Sequence, residues 1–200
     1  MTRIGPVVRI EVVVGDITAS RVDAVVTAAN ESLLGGGGVD GAIHRAAGPR
    51  LAEAGSAMAP CLPGDARATP AFGLAPVRHV IHSVGPVWEG GGHGEDEVLA
   101  SCYRRCLEVA DEVGARSIAF PAIATGVYGF PADRAARIAV ATLRSTPTSV
   151  VERIELVAFD EDAATPLERA LAEHAPTGPT TTGPTTTENA ATGHAATGQP

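Results

Sequence analysis

An α/β fold built on a mixed, mostly parallel sheet with helices on both faces is the architecture this sequence predicts. Three observations carry it. Between residues 7 and 174, short apolar and β-branched runs alternate with amphipathic stretches, the pattern of strand–helix–strand crossovers rather than of hairpins. Two glycine-bearing segments, at 35–38 and 126–129, each stand between a strand-like run and a helix-like one, where ligands collect in sheets of this kind. Finally, 44% hydrophobic against 19% charged residues, over 200 residues, suffices for one sizeable core but not for two full domains.

The elements follow in chain order. Residues 7–14 are rich in valine and isoleucine and predict a strand that stops at Gly15-Asp16. Residues 24–28 are a short apolar run, as expected of a buried strand. Residues 39–47 open a helix, and Pro49 stands where the first turn of another would accept it. Residues 65–69 read as an edge strand and 77–84 as a stronger one. The longest amphipathic stretch, 95–113, ends at Gly114, a helix stop signal. A strand at 117–120, a helix at 131–143, a strand at 153–159 and a helix at 166–174 complete the set.

Near residue 176 the composition changes abruptly. A Pro-Thr-Gly-Pro-Thr-Thr-Thr repeat begins there, and the rest of the chain has no large apolar residue, no arginine and one acid, Glu188. Such a stretch cannot bury enough surface to offset its ordering entropy. Residues 1–175 are therefore expected to form the folded domain and residues 176–200 a disordered tail.

Composition excludes several functions. A net charge of -8 is the wrong sign for neutralising phosphates, and aromatics at 4% leave little for stacking bases; strong general nucleic-acid binding is not expected. All 15 basic residues are arginine, so a P-loop lysine, a Schiff base and a lysine general base are absent. The three cysteines include no C-x-x-C pair, which predicts neither a disulfide framework nor a zinc ribbon. Cys102 and Cys106 share a helix face as small buried hydrophobes. His79 and His82 point to opposite faces of a strand and cannot chelate one ion. No metal and no cofactor is expected. Without a signal-peptide core or a membrane-length apolar run, the expected setting is cytoplasmic, with no membrane partner.

Three strand ends carry residues suited to a ligand. The first is Gly15-Asp16-Ile17, whose acid can accept from an exocyclic amine such as adenine's; a cap aspartate before Thr18 is the plainer reading. The second runs from Asn30 to Gly41 through Gly35, Gly36, Gly37 and Gly38. Four glycines cost chain entropy, and a backbone free of Cβ atoms can point N–H groups at phosphate oxygens beside a helix N-terminus. A flexible surface loop is the alternative. Gly36, Gly38 and Gly41 formally match the dinucleotide spacing, but no acid-ended strand follows about 20 residues later, so a Rossmann oxidoreductase ranks last. In the third, 121–131, Gly126 and Gly129 permit tight geometry and Tyr128 could cover a sugar or phosphate, against a merely rigid connection. Two such loops suit a diphosphate.

The runs Gly15-Asp16-Ile17-Thr18, Ala28-Ala29-Asn30, Leu33-Leu34-Gly35-Gly36-Gly37-Gly38-Val39-Asp40-Gly41-Ala42-Ile43-His44, Val80-Ile81-His82-Ser83-Val84-Gly85-Pro86-Val87-Trp88, Ala119-Phe120-Pro121-Ala122-Ile123 and Thr125-Gly126-Val127-Tyr128-Gly129 resemble the macrodomain family, and its MacroD-type branch specifically. The resemblance implies a three-layer α/β/α fold that binds ADP-ribose and hydrolyses ADP-ribose esters. It implies that Asp16 and Ile17 hold adenine. Gly35, Gly36, Gly37, Gly38 and Val39, with Ala124, Thr125, Gly126, Val127 and Tyr128, would grip the diphosphate and distal ribose. Asn30 and Asp40 match the family's functional pair beside that ribose. Two departures stand out: Thr27 where the family usually has asparagine, and Ala124 where it usually has serine.

On this reading Asn30 donates to one ribose hydroxyl and accepts from another. Asp40, near a helix N-terminus whose dipole favours its ionised form, is expected to be a weak base that orients, and partly deprotonates, the attacking water. His44 is expected to pack rather than to relay protons. The expected activity is removal of ADP-ribose from protein aspartate or glutamate esters and from O-acetyl-ADP-ribose. The alternative is a reader module that binds ADP-ribose without turnover. A poly-ADP-ribose glycohydrolase is disfavoured, because Val39-Asp40-Gly41 follows the glycines where that branch has paired glutamates. The expected partners are ADP-ribose and ADP-ribosylated proteins, the chain itself being a monomer.

Overall fold

Six strands and five α-helices alternate in the computed structural model, which describes residues 8–174; the expected tail at 176–200 lies outside the described residues. The strands are β1 (Arg9–Val14), β2 (Ala24–Ala29), β3 (Ala66–Pro70), β4 (His79–Val84), β5 (Ser117–Phe120) and β6 (Arg153–Ala158). The helices are α1 (Gly38–Ala47), α2 (Arg50–Ser56), α3 (Glu95–Glu112), α4 (Ala132–Ser145) and α5 (Glu161–Glu173). One sheet contains every strand in the order β1-β6-β5-β2-β4-β3. All neighbours are parallel except β3, which runs antiparallel to β4 at an edge. The sheet is mixed and mostly parallel, as expected. Its borders are charged: Arg9 pairs with Glu11 at 2.9 Å on β1, and Arg67 of β3 pairs with Asp65 at 2.9 Å.

Alternation along the strands divides the core in two. Val26, Ile81, Ile118, Phe120, Ile154 and Leu156 pack with Leu99, Tyr103 and Leu107 of α3, Val140 and Leu143 of α4, and Leu167 of α5. Their sequence neighbours Val25, Val80, Ala119 and Val157 pack instead with Ile43 and Leu51 of α1 and α2. Successive strand residues point to opposite faces, so strands apolar at every position need helices on both sides. The result is the expected three-layer α/β/α arrangement. Each fully buried Leu or Ile contributes about 1.5–3 kcal/mol.

Most element ends fall within two residues of the sequence reading, and two features differ by more. α5 starts at Glu161, not at Pro166. The Asp160 side chain accepts from Ala163 N at 2.9 Å, and Glu161 and Asp162 fill the first turn, where acids suit the helix dipole. That cap fixes the start, and Pro166 is accommodated inside the helix. A short 3-10 turn, Ile17–Ala19, also follows β1, capped by Asp16. Elsewhere the stop signal holds: Gly114 adopts φ 71° and Ala115 N donates back to Ala110 O at 2.9 Å, closing α3. Among the described residues no helix is long and apolar enough to cross a membrane.

Candidate active site

Five strand ends converge on one cleft of about 810 Å³, within the range of small-molecule sites. β1 supplies Gly15, Asp16 and Ile17; β2 leads to Asn30 and then to Gly36, Gly37, Gly38, Val39, Asp40, Ala42 and Arg45; β4 supplies Gly85. β5 leads to Ala124, Thr125, Gly126, Val127 and Tyr128, and β6 ends in Phe159. Of the residues expected to bind or act on the ligand, only Gly35 does not line the cleft. Its carbonyl instead accepts from Asn30 Nδ2 at 3.2 Å, and a Cβ there would lie 3.1 Å from His44 Cγ. At φ 96° it lets the loop turn over the His44 ring.

At the β1 end, the cap reading of Asp16 is borne out. Its Oδ1 accepts from Thr18 N at 2.9 Å and from Thr18 Oγ1 at 2.8 Å, so it is a cap. The residue is nevertheless exposed in the cleft, and its second oxygen carries no hydrogen bond from the described residues. Phe159 stands on the neighbouring strand, since Val14 pairs with Ala158 and Gly15 N donates to Ala158 O at 2.8 Å. That ring is 83% exposed.

The glycine loop brings Asn30 and Asp40 together. A Cβ on Gly36 would lie 3.4 Å from Asp40 Oδ2 and 3.5 Å from Asn30 Nδ2. A Cβ on Gly41 would come within 2.5 Å of the Gly36 carbonyl, so α1 and the loop touch backbone to backbone. Asn30 Oδ1 accepts from Ser32 N at 3.0 Å and from Ser32 Oγ at 2.6 Å. A carbonyl has two lone pairs, so what the amide has left for a ligand is a donor, not the donor–acceptor pair expected from sequence.

Asp40 sits in the first turn of α1, 3% exposed. Thr27 Oγ1 donates to its Oδ1 at 2.7 Å, and His44 Nε2 lies 3.6 Å away. Burial pushes the Asp40 carboxyl above its ordinary value, against the lowering by Thr27 and His44. The helix-terminus argument expected a weak base; desolvation of the charged form outweighs it, making Asp40 a stronger one. Behind this pair His82 is fully buried, its Nε2 3.0 Å from Thr69 Oγ1 and its ring edge-on to His44 at 6.0 Å. Burial lowers its pKa to about 4. His44 Nε2 and His82 Nδ1 are buried without a hydrogen-bond partner.

In the third loop the positive φ of 65° falls on Ala124 rather than on Gly126, while Gly129 takes φ 71°. Tyr128 O accepts from Trp88 N at 2.9 Å, Trp88 packs on Phe130 at 4.7 Å, and Arg134 covers Trp88 at 5.2 Å while also pairing with Asp96. The glycine-rich segment after Trp88 is tied to Glu95. That buried carboxylate accepts from Glu89 N at 3.1 Å, Gly91 N at 2.9 Å and His93 N at 2.7 Å. Backbone donors hold its pKa down at about 2.

Sequence reasoning missed Arg45, Gly85 and Phe159. Arg45 carried a signal, because Val39, Ala42 and Arg45 are spaced three apart and share a helix face. Phe159 carried none, since it read as the last residue of a strand. The three cysteines are buried and free; burial was expected of Cys102 and Cys106.

The Macro domain family matches residues 26–139. A "Macro domain-containing protein" of Methanosarcina mazei is 50% identical over 167 residues, 82% of this chain and 89% of that one. A protein of Salmonella newport named "O-acetyl-ADP-ribose deacetylase" is 50% identical over 171 residues, 82% of this chain and 95% of its own. Among solved structures, a mutant Oceanobacillus iheyensis macrodomain with ADPR superposes with a TM-score of 0.77 at 41% identity, covering 82% of this chain and 92% of that one.

Proposed function

This chain belongs to the macrodomain family, and from that premise we propose that it binds ADP-ribose in the cleft and hydrolyses ADP-ribose esters. The substrates proposed are mono-ADP-ribosylated aspartate or glutamate on proteins and O-acetyl-ADP-ribose. One observation carries the reading: a carboxylate, Asp40, is buried to 3% exposure in a ligand-sized cleft, its Oδ2 beside the Asn30 amide across a Cβ-less glycine. A carboxyl so desolvated is a better base than one in water. The name of the Salmonella newport relative supports the acetyl ester as one substrate.

In the proposed reaction adenine's amino group donates to the free oxygen of Asp16, and the backbones of the two glycine loops take the diphosphate. Asn30 Nδ2 donates to a hydroxyl of the distal ribose. Asp40 holds a water and takes its proton as the oxygen attacks the ester carbonyl carbon. The tetrahedral intermediate then expels the ribose oxygen, which takes up the proton that Asp40 removed from the water, leaving ADP-ribose, a free acid and an ionised Asp40. General-base assistance contributes typically 10²–10⁴-fold.

The test is a panel of ADP-ribose conjugates differing only in linkage (protein carboxylate, acetyl, phosphate, nucleic-acid adduct), offered to wild type and Asp40→Ala. The carboxyl esters are expected to release ADP-ribose in wild type, roughly 10²–10⁴-fold faster than in the variant. Micromolar binding of ADP-ribose with no product from any conjugate would make the protein a reader. Equal rates in the two proteins would remove Asp40 from the chemistry.

A further inference from the structure

Resting on the reading of Asp40 as the base, we propose that Thr27 is a positioning residue that anchors one oxygen of Asp40 and leaves the other to take the proton. Thr27 lies in β2, between β5 and β4, with no exposed surface. Its hydroxyl stands 2.7 Å from Asp40 Oδ1. An ionised carboxylate only accepts, so the threonine proton points at Asp40. Among the described residues this is the one hydrogen bond to the Asp40 side chain; His44 Nε2, at 3.6 Å from the same oxygen, is beyond bonding distance.

The two carboxylate oxygens therefore have different surroundings. Oδ1 lies against Thr27 and His44, on the interior side. Oδ2 lies toward Gly36 and Asn30, 3.4 Å from where a glycine Cβ would be, in the cleft wall. With Oδ1 committed, Oδ2 is the oxygen that meets a water beside the distal ribose. The titratable groups facing Asp40 are His44 on its own helix and, through His44, His82 of β4, whose register partner in β2 is Thr27 itself. The Thr27 bond favours the ionised form and so opposes the effect of burial. The position is one where this chain departs from the asparagine its family usually carries, and a hydroxyl offers a single donor where an amide offers two.

The experiment compares wild type with Thr27→Val, which keeps the shape without the hydroxyl, Thr27→Ala, and Thr27→Ser, which restores the hydroxyl. The readouts are the pH profile of kcat/KM on O-acetyl-ADP-ribose, ADP-ribose affinity by calorimetry, and the ¹³C carboxyl shift of Asp40 followed against pH. In Thr27→Val and Thr27→Ala the acidic limb is expected to move up by about one pH unit and kcat at neutral pH to fall roughly tenfold, the loss of a hydrogen bond to a charged group. Affinity for ADP-ribose should stay within about threefold, since Thr27 is not among the cleft-lining residues, and Thr27→Ser should restore limb and rate. The same carboxyl titration shift is expected whether or not the protein turns over. An unmoved Asp40 titration and an unmoved limb would overturn the proposal, as would Thr27→Ser behaving like Thr27→Val. A wild type that releases no product, with the Asp40 titration still displaced by Thr27→Val, would instead sink the hydrolase reading and leave the anchoring intact.

Discussion

Phe159 and Asp16 sit on adjacent strand ends in the cleft, and the proposed ADP-ribose site would have them share the holding of its nucleobase. The acid has one oxygen tied to Thr18 and one without a hydrogen bond among the described residues, while Phe159 is 83% exposed. Stacking on an aromatic is worth about 1–3 kcal/mol per base. Phe159→Ala is thus expected to weaken ADP-ribose binding by roughly one to two orders of magnitude in calorimetry, with an unchanged melting temperature. Loss of stability without loss of affinity would place the ring in the core instead. Asp16 was legible as an acid just after an apolar run, whereas Asn30 and Asp40 were legible only through the motifs that resemble the family's. Phe159 was not, because the point at which a strand stops, and hence which residue swings free of the sheet, is set by the neighbouring strand. The strength of Asp40 as a base was misread for a related reason: the helix terminus is local, whereas burial depends on what β2 and the glycine loop place around it.

At the level of elements, the segment between β4 and α3 is the one the sequence hid. Its anchor, Glu95, reads as the first residue of a long helix, which it is. Its partners are backbone N–H groups of Glu89, Gly91 and His93, and backbone donors leave no mark in a side-chain pattern. Through Trp88 this segment reaches Tyr128 in the cleft. Glu95→Gln keeps the shape but removes the charge, so amide exchange at residues 89–93 is expected to accelerate and Trp88 emission to shift to the red. Trp88 is the chain's single tryptophan, which makes the signal unambiguous; unchanged exchange and emission would show that the segment holds itself. The Glu95 carboxyl, at about 2 against its ordinary 4.5, adds stability above pH 4.5 that is lost as pH falls through 2. The start of α5 was hidden by competition between two signals, Pro166 as a first-turn residue and Asp160 as a cap; the cap fixed the boundary. The strands and remaining helices were legible because apolar runs and amphipathic stretches are local signals.

For the molecule as a whole, the layering followed from alternating apolar positions, but the strand order β1-β6-β5-β2-β4-β3 did not, because it rests on contacts between residues more than a hundred apart, such as Val14 with Ala158. Global stability should carry the signature of His82. Fully buried and neutral, it titrates near 4 in the fold against 6.5 when unfolded. Its contribution is complete above pH 6.5 and drains away as pH falls through 4, roughly 3 kcal/mol in all. Denaturant melts from pH 7 to pH 4 are expected to trace that loss, and His82→Asn to flatten it; a wild-type curve level across the window would refute the assignment. Asp23 and Asp111, held low by hydrogen bonds from Arg116 and Ser117 and from Ser149 to Val151, lose their contributions only at more acid pH, outside this interval. The charged borders of the sheet matter at a larger scale still. A second chain zipping onto β1 or β3 would have to strip water from Arg9, Glu11 and Arg67 before gaining its first ladder bond, which guards the protein against fibrous aggregation at high concentration.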